Sequence, residues 1–399
     1  MSVDNFYKKK LKNGLTVLFE ERKLPIISTS ASIKFGAQYE SLRLKGIAHL
    51  MEHLMFKQSK TRTSEELAKE VEKKGGDLNA FTDEGLTCYW NKLPSKYFST
   101  GLDISSDLIL NPKFDPVDFE KEKKVVIEEI KMYNDSPRMY ATEKFKEMLY
   151  KKPFGDFIAG SVESVSKLSL NQVHEIYNNY YATNKMILCC VGKGNFKDIC
   201  EFGKKIFPAR IQKKVDYNPI KLNSEKIEKR KGVDQANFIF GYHTVPLFDK
   251  RRYLHDVIGA YLWDGMSSRF FNEIREKRGL AYAVKGGVEM GIKHGYAMIY
   301  VGTVAEKIKL IKELILKEFR ALKNMEKKDF DEAKEQLIGQ HEIGVEDSND
   351  VMLSLLNEEL GGNALEHYNY EERIGKVQFK ELKEFKLKRY SSFALIPEK

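Results

Sequence analysis

The stretch Gly46-Ile-Ala-His-Leu-Met-Glu-His-Leu-Met-Phe56 decides how this sequence is read. Apolar residues surround three polar ones, His49, Glu52 and His53. In a helix, positions i and i+4 share a face, so the two imidazoles point the same way and can grip one metal ion. Glu52 projects beside them, placed to take a proton from an activated water and return it to a leaving amine. A catalytic zinc takes three protein ligands and keeps its fourth position for water, so the pattern calls for one more ligand. Two chance histidines on an amphipathic helix would look similar, but the chain holds only eight histidines and two of them fall here.

Candidates for the third ligand lie in Phe119-Glu-Lys-Glu-Lys-Lys-Val-Val-Ile-Glu-Glu-Ile130. Glu122 and Glu129 are seven apart, two helical turns, and share a face. Glu128 lies about 100° round from Glu129 and shares no face with Glu122. Spacing alone also allows all three to be solvated partners of Lys121, Lys123 and Lys124.

Outward from the motif, the pattern predicts the rest of each half. Asn13-Gly14 between two strand-like runs is a hairpin signal. Thr63-Ser-Glu-Glu66 is a capping box that opens a helix ending at Gly75-Gly76. Strands are expected at 78–82 and 87–93, helices at 95–110 and 116–132, and a buried strand at Lys185-Met-Ile-Leu-Cys-Cys-Val191. After a Lys-rich stretch the second half repeats the order: strand 236–242, helices near 249–261 and 267–277, strands within 281–303, long helices, and strand 392–396. The fold class is therefore α+β, built from two similar domains, each an antiparallel sheet packed by helices. The expected boundaries are a domain over 1–212, a linker over 213–232 and a second domain over 233–399.

Bulk composition limits the alternatives. The 399 residues are 42% hydrophobic and 31% charged, as in globular proteins with a core. No window approaches the roughly 18 apolar residues needed to span a bilayer. No apolar run follows the basic N-terminus, which points to a cytoplasmic protein, or to a mature form without its leader. Cys88, Cys189, Cys190 and Cys200 have no metal-finger spacing and read as reduced, structural thiols. The formal charge of +9 raises nucleic-acid binding, but the lysines alternate with glutamates on helical faces and no nucleic-acid motif stands out.

Four segments carry a resemblance: the motif 46–56, Gly75-Gly-Asp-Leu-Asn-Ala-Phe-Thr82, Val125-Val-Ile-Glu-Glu-Ile-Lys-Met132 and Arg275-Glu-Lys-Arg-Gly-Leu-Ala-Tyr282. In these the chain resembles the pitrilysin family of zinc peptidases, the inverzincins, which includes insulin-degrading enzyme and the mitochondrial processing peptidase. The likeness runs the length of the chain and implies two domains forming half of a clamshell. It implies one Zn2+ per chain held by His49, His53 and Glu129, since the family's glutamate ligand lies about 76 residues past the second histidine, and 129 − 53 = 76. It further implies Glu52 as general base and Glu122 as an acidic support near the metal. Asn79 and Ala80 would line the peptide cleft, and Arg275 and Tyr282 would hold substrate or oxyanion. With the motif and the Arg275/Tyr282 pair in one chain, the expected assembly is a homodimer enclosing a chamber for peptide substrates, without nucleic-acid or membrane partners. The family also includes non-catalytic assembly subunits, which have typically lost their zinc-binding residues.

Overall fold

The computed structural model of the chain describes residues 5–213 and 216–398. Positions 214 and 215 of the expected linker lie outside the described residues, as do 1–4 and 399 at the ends of the expected domains. Two compact units form, and both are discontinuous in sequence. One gathers Met1–Lys131, Phe157–Tyr217 and Gly344–Tyr368; the other gathers Met132–Asp156, Asn218–Ile343 and Asn369–Lys399.

The first unit is built on six strands: β1 (Phe6–Lys10), β2 (Thr16–Glu21), β3 (Ile26–Ile33), β4 (Asp77–Thr82), β5 (Thr87–Pro94) and β6 (Met186–Gly192). Their order in the sheet is β1-β2-β6-β3-β5-β4. All neighbours are antiparallel except β2 and β6. The β1–β2 turn needs Gly14, whose φ of 97° lies in the left-handed region that side chains avoid. Strand β6 is buried along its whole length, as a strand covered on both faces should be. Helices α1 (Ile47–Lys57), α2 (Phe98–Leu110) and α3 (Pro116–Asp135) contribute to the larger core. The opposite face carries the helix Ser348–Leu360, whose Val351, Met352, Leu355 and Leu356 pack on Leu18, Cys88, Ile187 and Cys189. Ion pairs Lys8–Glu359 (2.5 Å) and Lys92–Asp347 (2.6 Å) fasten this helix to the sheet. All four cysteines are buried and free.

The second unit holds β7 (Glu225–Arg230), β8 (Ala236–His243), β9 (Ala283–Met290), β10 (Gly295–Thr303) and β11 (Ser391–Pro397), ordered β7-β11-β8-β10-β9. Again a single neighbouring pair, β7 with β11, is parallel. Helices α4 (Arg252–Leu262), α5 (Ile308–Ala321) and α6 (Lys327–Gly344) help bury its core. Remove β1 and the sheets match strand for strand: β2-β6-β3-β5-β4 against β7-β11-β8-β10-β9, with the parallel pair in the same place. The α+β fold of two similar domains is thus present, each sheet being antiparallel but for that pair. Two local details differ from the sequence pattern. The charged stretch before 233 contains β7, and the helical signal over 267–277 resolves into a π-helical turn at Phe271–Glu276.

Candidate metal centre

Helix α1 is placed by its first turn. Gly46 enters it at φ 94°, and a Cβ there would lie 2.5 Å from the Ala159 carbonyl. The buried Glu40 carboxylate accepts hydrogen bonds from Ala48 N (2.7 Å) and Gly46 N (3.1 Å), satisfying amides that a helix start leaves open. Burial pushes the Glu40 carboxyl up, while Lys45, whose ammonium lies 3.4 Å away, and the two amides pull it down. Ile47, Ala48, Leu50, Met51, Leu54 and Met55 are all buried in the core. That packing fixes the rotation of α1 and leaves His49, Glu52 and His53 half-buried on its remaining face.

Helix α3 meets that face. Glu129 Oε2 lies 3.7 Å from His49 Nε2 and 3.6 Å from His53 Nε2. One donor atom from each of the three residues falls within 4.8 Å of the others. Glu122, two turns earlier, is buried and places Oε2 3.1 Å from His53 Nδ1. Its other oxygen pairs with the Lys57 ammonium at 2.9 Å. A carboxylate at Nδ1 holds a ring proton there, so Nε2, which faces Glu129, is the nitrogen free to serve as a metal donor. Glu128 instead points outward and pairs with Lys131 at 2.7 Å, so the alternatives open in the sequence separate cleanly in the structure.

The electrostatics are uneven. Burial, then the neighbouring His53, lower His49 to about 4. Burial also opposes charge on His53, but the Glu122 and Glu129 carboxylates outweigh it and raise the ring to about 9. Without a metal the site holds its cation as a proton on His53, and a bound metal ion would displace it. Burial raises the Glu52 carboxyl, opposed by the Thr82 hydroxyl, which donates to Glu52 Oε2 at 2.5 Å. A carboxyl held above its ordinary range suits a group that must both take and give a proton. Two imidazole nitrogens and a carboxylate oxygen, with one ring braced from behind by a second carboxylate, fit a zinc ion that keeps one position open.

The remaining expected residues are placed as follows. Asn79 and Ala80 lie on β4, an edge strand of the first sheet, opposite Trp90 and Tyr89. The pleat puts Ala80 on the same face as Thr82, toward Glu52, and Asn79 on the other. Arg275 and Tyr282 belong to the second unit. The Arg275 guanidinium sits 4.8 Å over the Phe271 ring. Tyr282 is 51% exposed, and its hydroxyl lies 3.3 Å from that of Tyr300. Thr82, Glu40 and Lys57 are parts of the centre that sequence reasoning passed over. Thr82 closes the quoted segment 75–82, yet no spacing rule shows that the end of an edge strand meets α1.

This geometry can be set beside known proteins. Residues 16–161 match the model of "Insulinase (Peptidase family M16)", and residues 167–337 match "Peptidase M16 inactive domain". A Rickettsia felis protein named an uncharacterized zinc protease is 30% identical over 339 residues, 84% of this chain and 82% of that one.

The chain belongs to peptidase family M16.

A Bacillus subtilis relative, also named an uncharacterized zinc protease, is 27% identical over 86% of this chain and 85% of its own. Among solved structures, a protease from Helicobacter pylori shares the fold with a TM-score of 0.91 at 22% identity, covering 98% of this chain and 99% of that one. A Pseudomonas fluorescens structure described as a peptidase M16 inactive domain follows at 0.89 and 18%, covering 99% of both chains. Every residue of the candidate metal centre described above, from Glu40 to Glu129, falls within 16–161, the insulinase match. No helix among the described residues is long and apolar enough to cross a membrane.

Proposed function

We propose that this member of peptidase family M16 is a zinc-dependent endopeptidase that cleaves peptides or unfolded segments inside an enclosed chamber. The observation that carries this is the convergence of His49, His53 and Glu129 donors within 4.8 Å, with Glu52 beside them on α1. One zinc per chain, bound by these three residues, would polarise the scissile carbonyl and lower the pKa of water at its open position. Glu52 takes a proton from the attacking water and delivers it to the leaving amine. Thr82 holds one Glu52 oxygen, leaving the other for that transfer. Glu122 fixes the His53 ring and its tautomer. An extended substrate adds to the edge strand β4 through main-chain hydrogen bonds along Asn79 and Ala80, a mode that accepts many sequences. The relatives named zinc proteases support the assignment of metal and reaction.

The chamber is completed by a second copy in a two-fold dimer, the partner's Arg275 and Tyr282 donating to the oxyanion of each site. Cytoplasmic residence suits four buried cysteines without a disulfide.

The test is cleavage of a quenched fluorescent peptide by wild type and Glu52→Gln, with zinc measured on the same samples. Wild type should bind one zinc and cleave; the variant should bind zinc and not cleave. Wild type without zinc after reconstitution would sink the proposal in favour of an assembly subunit. The dimer is tested by mixing Glu52→Gln with Arg275→Ala, each inactive alone. If the arginine acts across the interface, reassorted dimers regain about a quarter of wild-type activity, one competent site in every second dimer. No recovery would place Arg275 in the site of its own chain, or in none.

A further inference from the structure

A cleft of about 560 Å³ opens in the second unit, within the roughly 300–1,000 Å³ of small-molecule sites. It forms where two strands part. β11 begins at Ser391, opposite Gly241, while β8 runs on to His243 with β10 as its only strand partner. The chain ahead of β11, Phe385-Lys-Leu-Lys-Arg389, swings away from the sheet and forms one wall. Lys221 stands among the residues lining the cleft, which also include Thr244, a residue whose buried hydroxyl has no hydrogen-bond partner.

The charge of this cleft is unusual for the chain. Lys221, Lys386, Lys388 and Arg389 line it, and no carboxylate does. Many lysines elsewhere rest against acids, as in Lys131–Glu128 (2.7 Å), Lys152–Asp156 (2.7 Å) and Lys167–Glu163 (2.5 Å). Among the described residues Lys386, Lys388 and Arg389 enter no such pair, and the Lys221 ammonium reaches only the Thr244 carbonyl, at 3.5 Å. Burial lowers the Lys221 pKa with no neighbouring carboxylate to restore it. Four like charges round one cavity repel one another, and an anion between them would relieve that repulsion. Behind the cations the wall is aromatic: the Phe385 ring centre lies 6.0 Å from that of Tyr242 and 5.8 Å from that of His255.

We propose that this cleft binds a small organic phosphate, its phosphoryl group held by Lys221, Lys386, Lys388 and Arg389 and its flat apolar body laid against Phe385. Ammonium and guanidinium groups together are the donors suited to a doubly charged oxyanion, and the aromatic wall selects a ligand with a body over a bare ion. Nothing in this site depends on the peptidase reaction.

The experiment is titration calorimetry of phenyl phosphate into the full chain, with phenol as the uncharged control. Lys388→Gln and Lys221→Ala are the variants; Lys388 is exposed and can be changed without disturbing packing. Phenyl phosphate should bind saturably and phenol should not. Each variant should weaken binding about tenfold, the loss of one charge-assisted contact. Raising the salt should weaken binding further. The proposal is overturned if phenyl phosphate does not bind, if phenol binds equally, or if both variants bind as wild type does, which would place the ion elsewhere, the metal centre included. A Glu-rich hexapeptide that binds more tightly than phenyl phosphate and loses its affinity in both variants would also overturn it, making the cleft a peptide site.

Discussion

The same strand order has been put to two uses. In the first unit the first α-helix between β3 and β4 is α1, and its gap to the edge strand is crossed by the hydrogen bond from Thr82 to Glu52. In the second unit the helix between β8 and β9 is α4. Its single histidine, His255, has Ile258 three residues on and Gly259 four residues on, where α1 has glutamate and histidine. The gap to the edge strand β9 is filled by the Trp263 ring. A Cβ on Gly286 would lie 2.3 Å from that ring, and one on Gly259 2.9 Å. The later helices diverge likewise. α3 sends Glu129 and Glu122 toward the α1 histidines, whereas α6 sends the Gln336 and Gln340 amides to Asp264, just after α4, at 3.3 and 2.9 Å. One half keeps a polar, partly open seam between helix and sheet; the other closes it with an indole and neutral amides. The two units share a strand frame, and the group of residues that could hold a metal lies in the one whose seam stays open.

The largest effect should come from the open seam. Glu52→Gln is expected to lower kcat about 10³-fold, the middle of the range for a lost general base, with zinc content unchanged. Ile258→Gln, in the closed half, should leave kcat alone. If both variants lowered kcat equally, the two halves would share the reaction and the contrast would collapse.

Next is a pH effect to which the closed half contributes through two buried histidines. His255 and His294 are buried, and burial lowers each to about 4. The unfolded chain takes up a proton near pH 6.5. Between those values unfolding binds protons, so stability is full above about 6.5 and falls as pH drops toward 4, by up to about 3 kcal/mol for each histidine. Urea unfolding at pH 7 and pH 5 should show the loss, and His255→Gln should remove its share of the slope, leaving that of His294. A variant that kept the full slope would show that burial of His255 is not its source.

How much of this contrast could be read in the sequence depends on the range of each contact. α1 was legible because His49, Glu52, His53 and its buried face lie within eleven residues at helical spacing. Glu129 needed a resemblance, since helical spacing left Glu122 and Glu129 as a pair and a solvated face as an alternative. The duplicated order was legible from the alternation of strands and helices. Strand β7 was not: Glu-Lys-Ile-Glu-Lys-Arg has one apolar residue and sits at a sheet edge, so no buried face imposed a pattern on it. Nor was the return of Ser348–Leu360 to the first sheet, where Glu359 meets Lys8 across 351 residues. Glu40 was missed for a similar reason, its role being visible only once the loop before α1 is folded.

A smaller effect should follow from Glu122→Gln. Glutamine keeps the shape but loses the charge that draws a proton onto His53 Nδ1 and answers Lys57. Support of this kind is worth 10–100-fold in metal affinity, about 1.4–2.7 kcal/mol. Competition with a zinc chelator should show that loss while residual activity at saturating zinc stays within reach of wild type. Unchanged zinc affinity would mean that Glu122 is held only by Lys57 and lends the metal nothing.

The smallest effect tests the seam itself. Thr82→Val keeps the β-branched shape on β4 and removes the single hydroxyl that binds Glu52. If that bond aims the carboxylate, kcat should fall about tenfold, near 1.4 kcal/mol, as for one ordinary hydrogen bond lost. KM and zinc content should hold, because neither the metal ligands nor the strand backbone changes. Thr82→Ser, which restores the hydroxyl without the methyl, should recover most of the rate. A structural role alone would move stability in both variants and would not split kcat from KM. If valine and serine behave alike, Glu52 is positioned by burial within α1, and the polar seam is a consequence of the open site instead of part of its machinery.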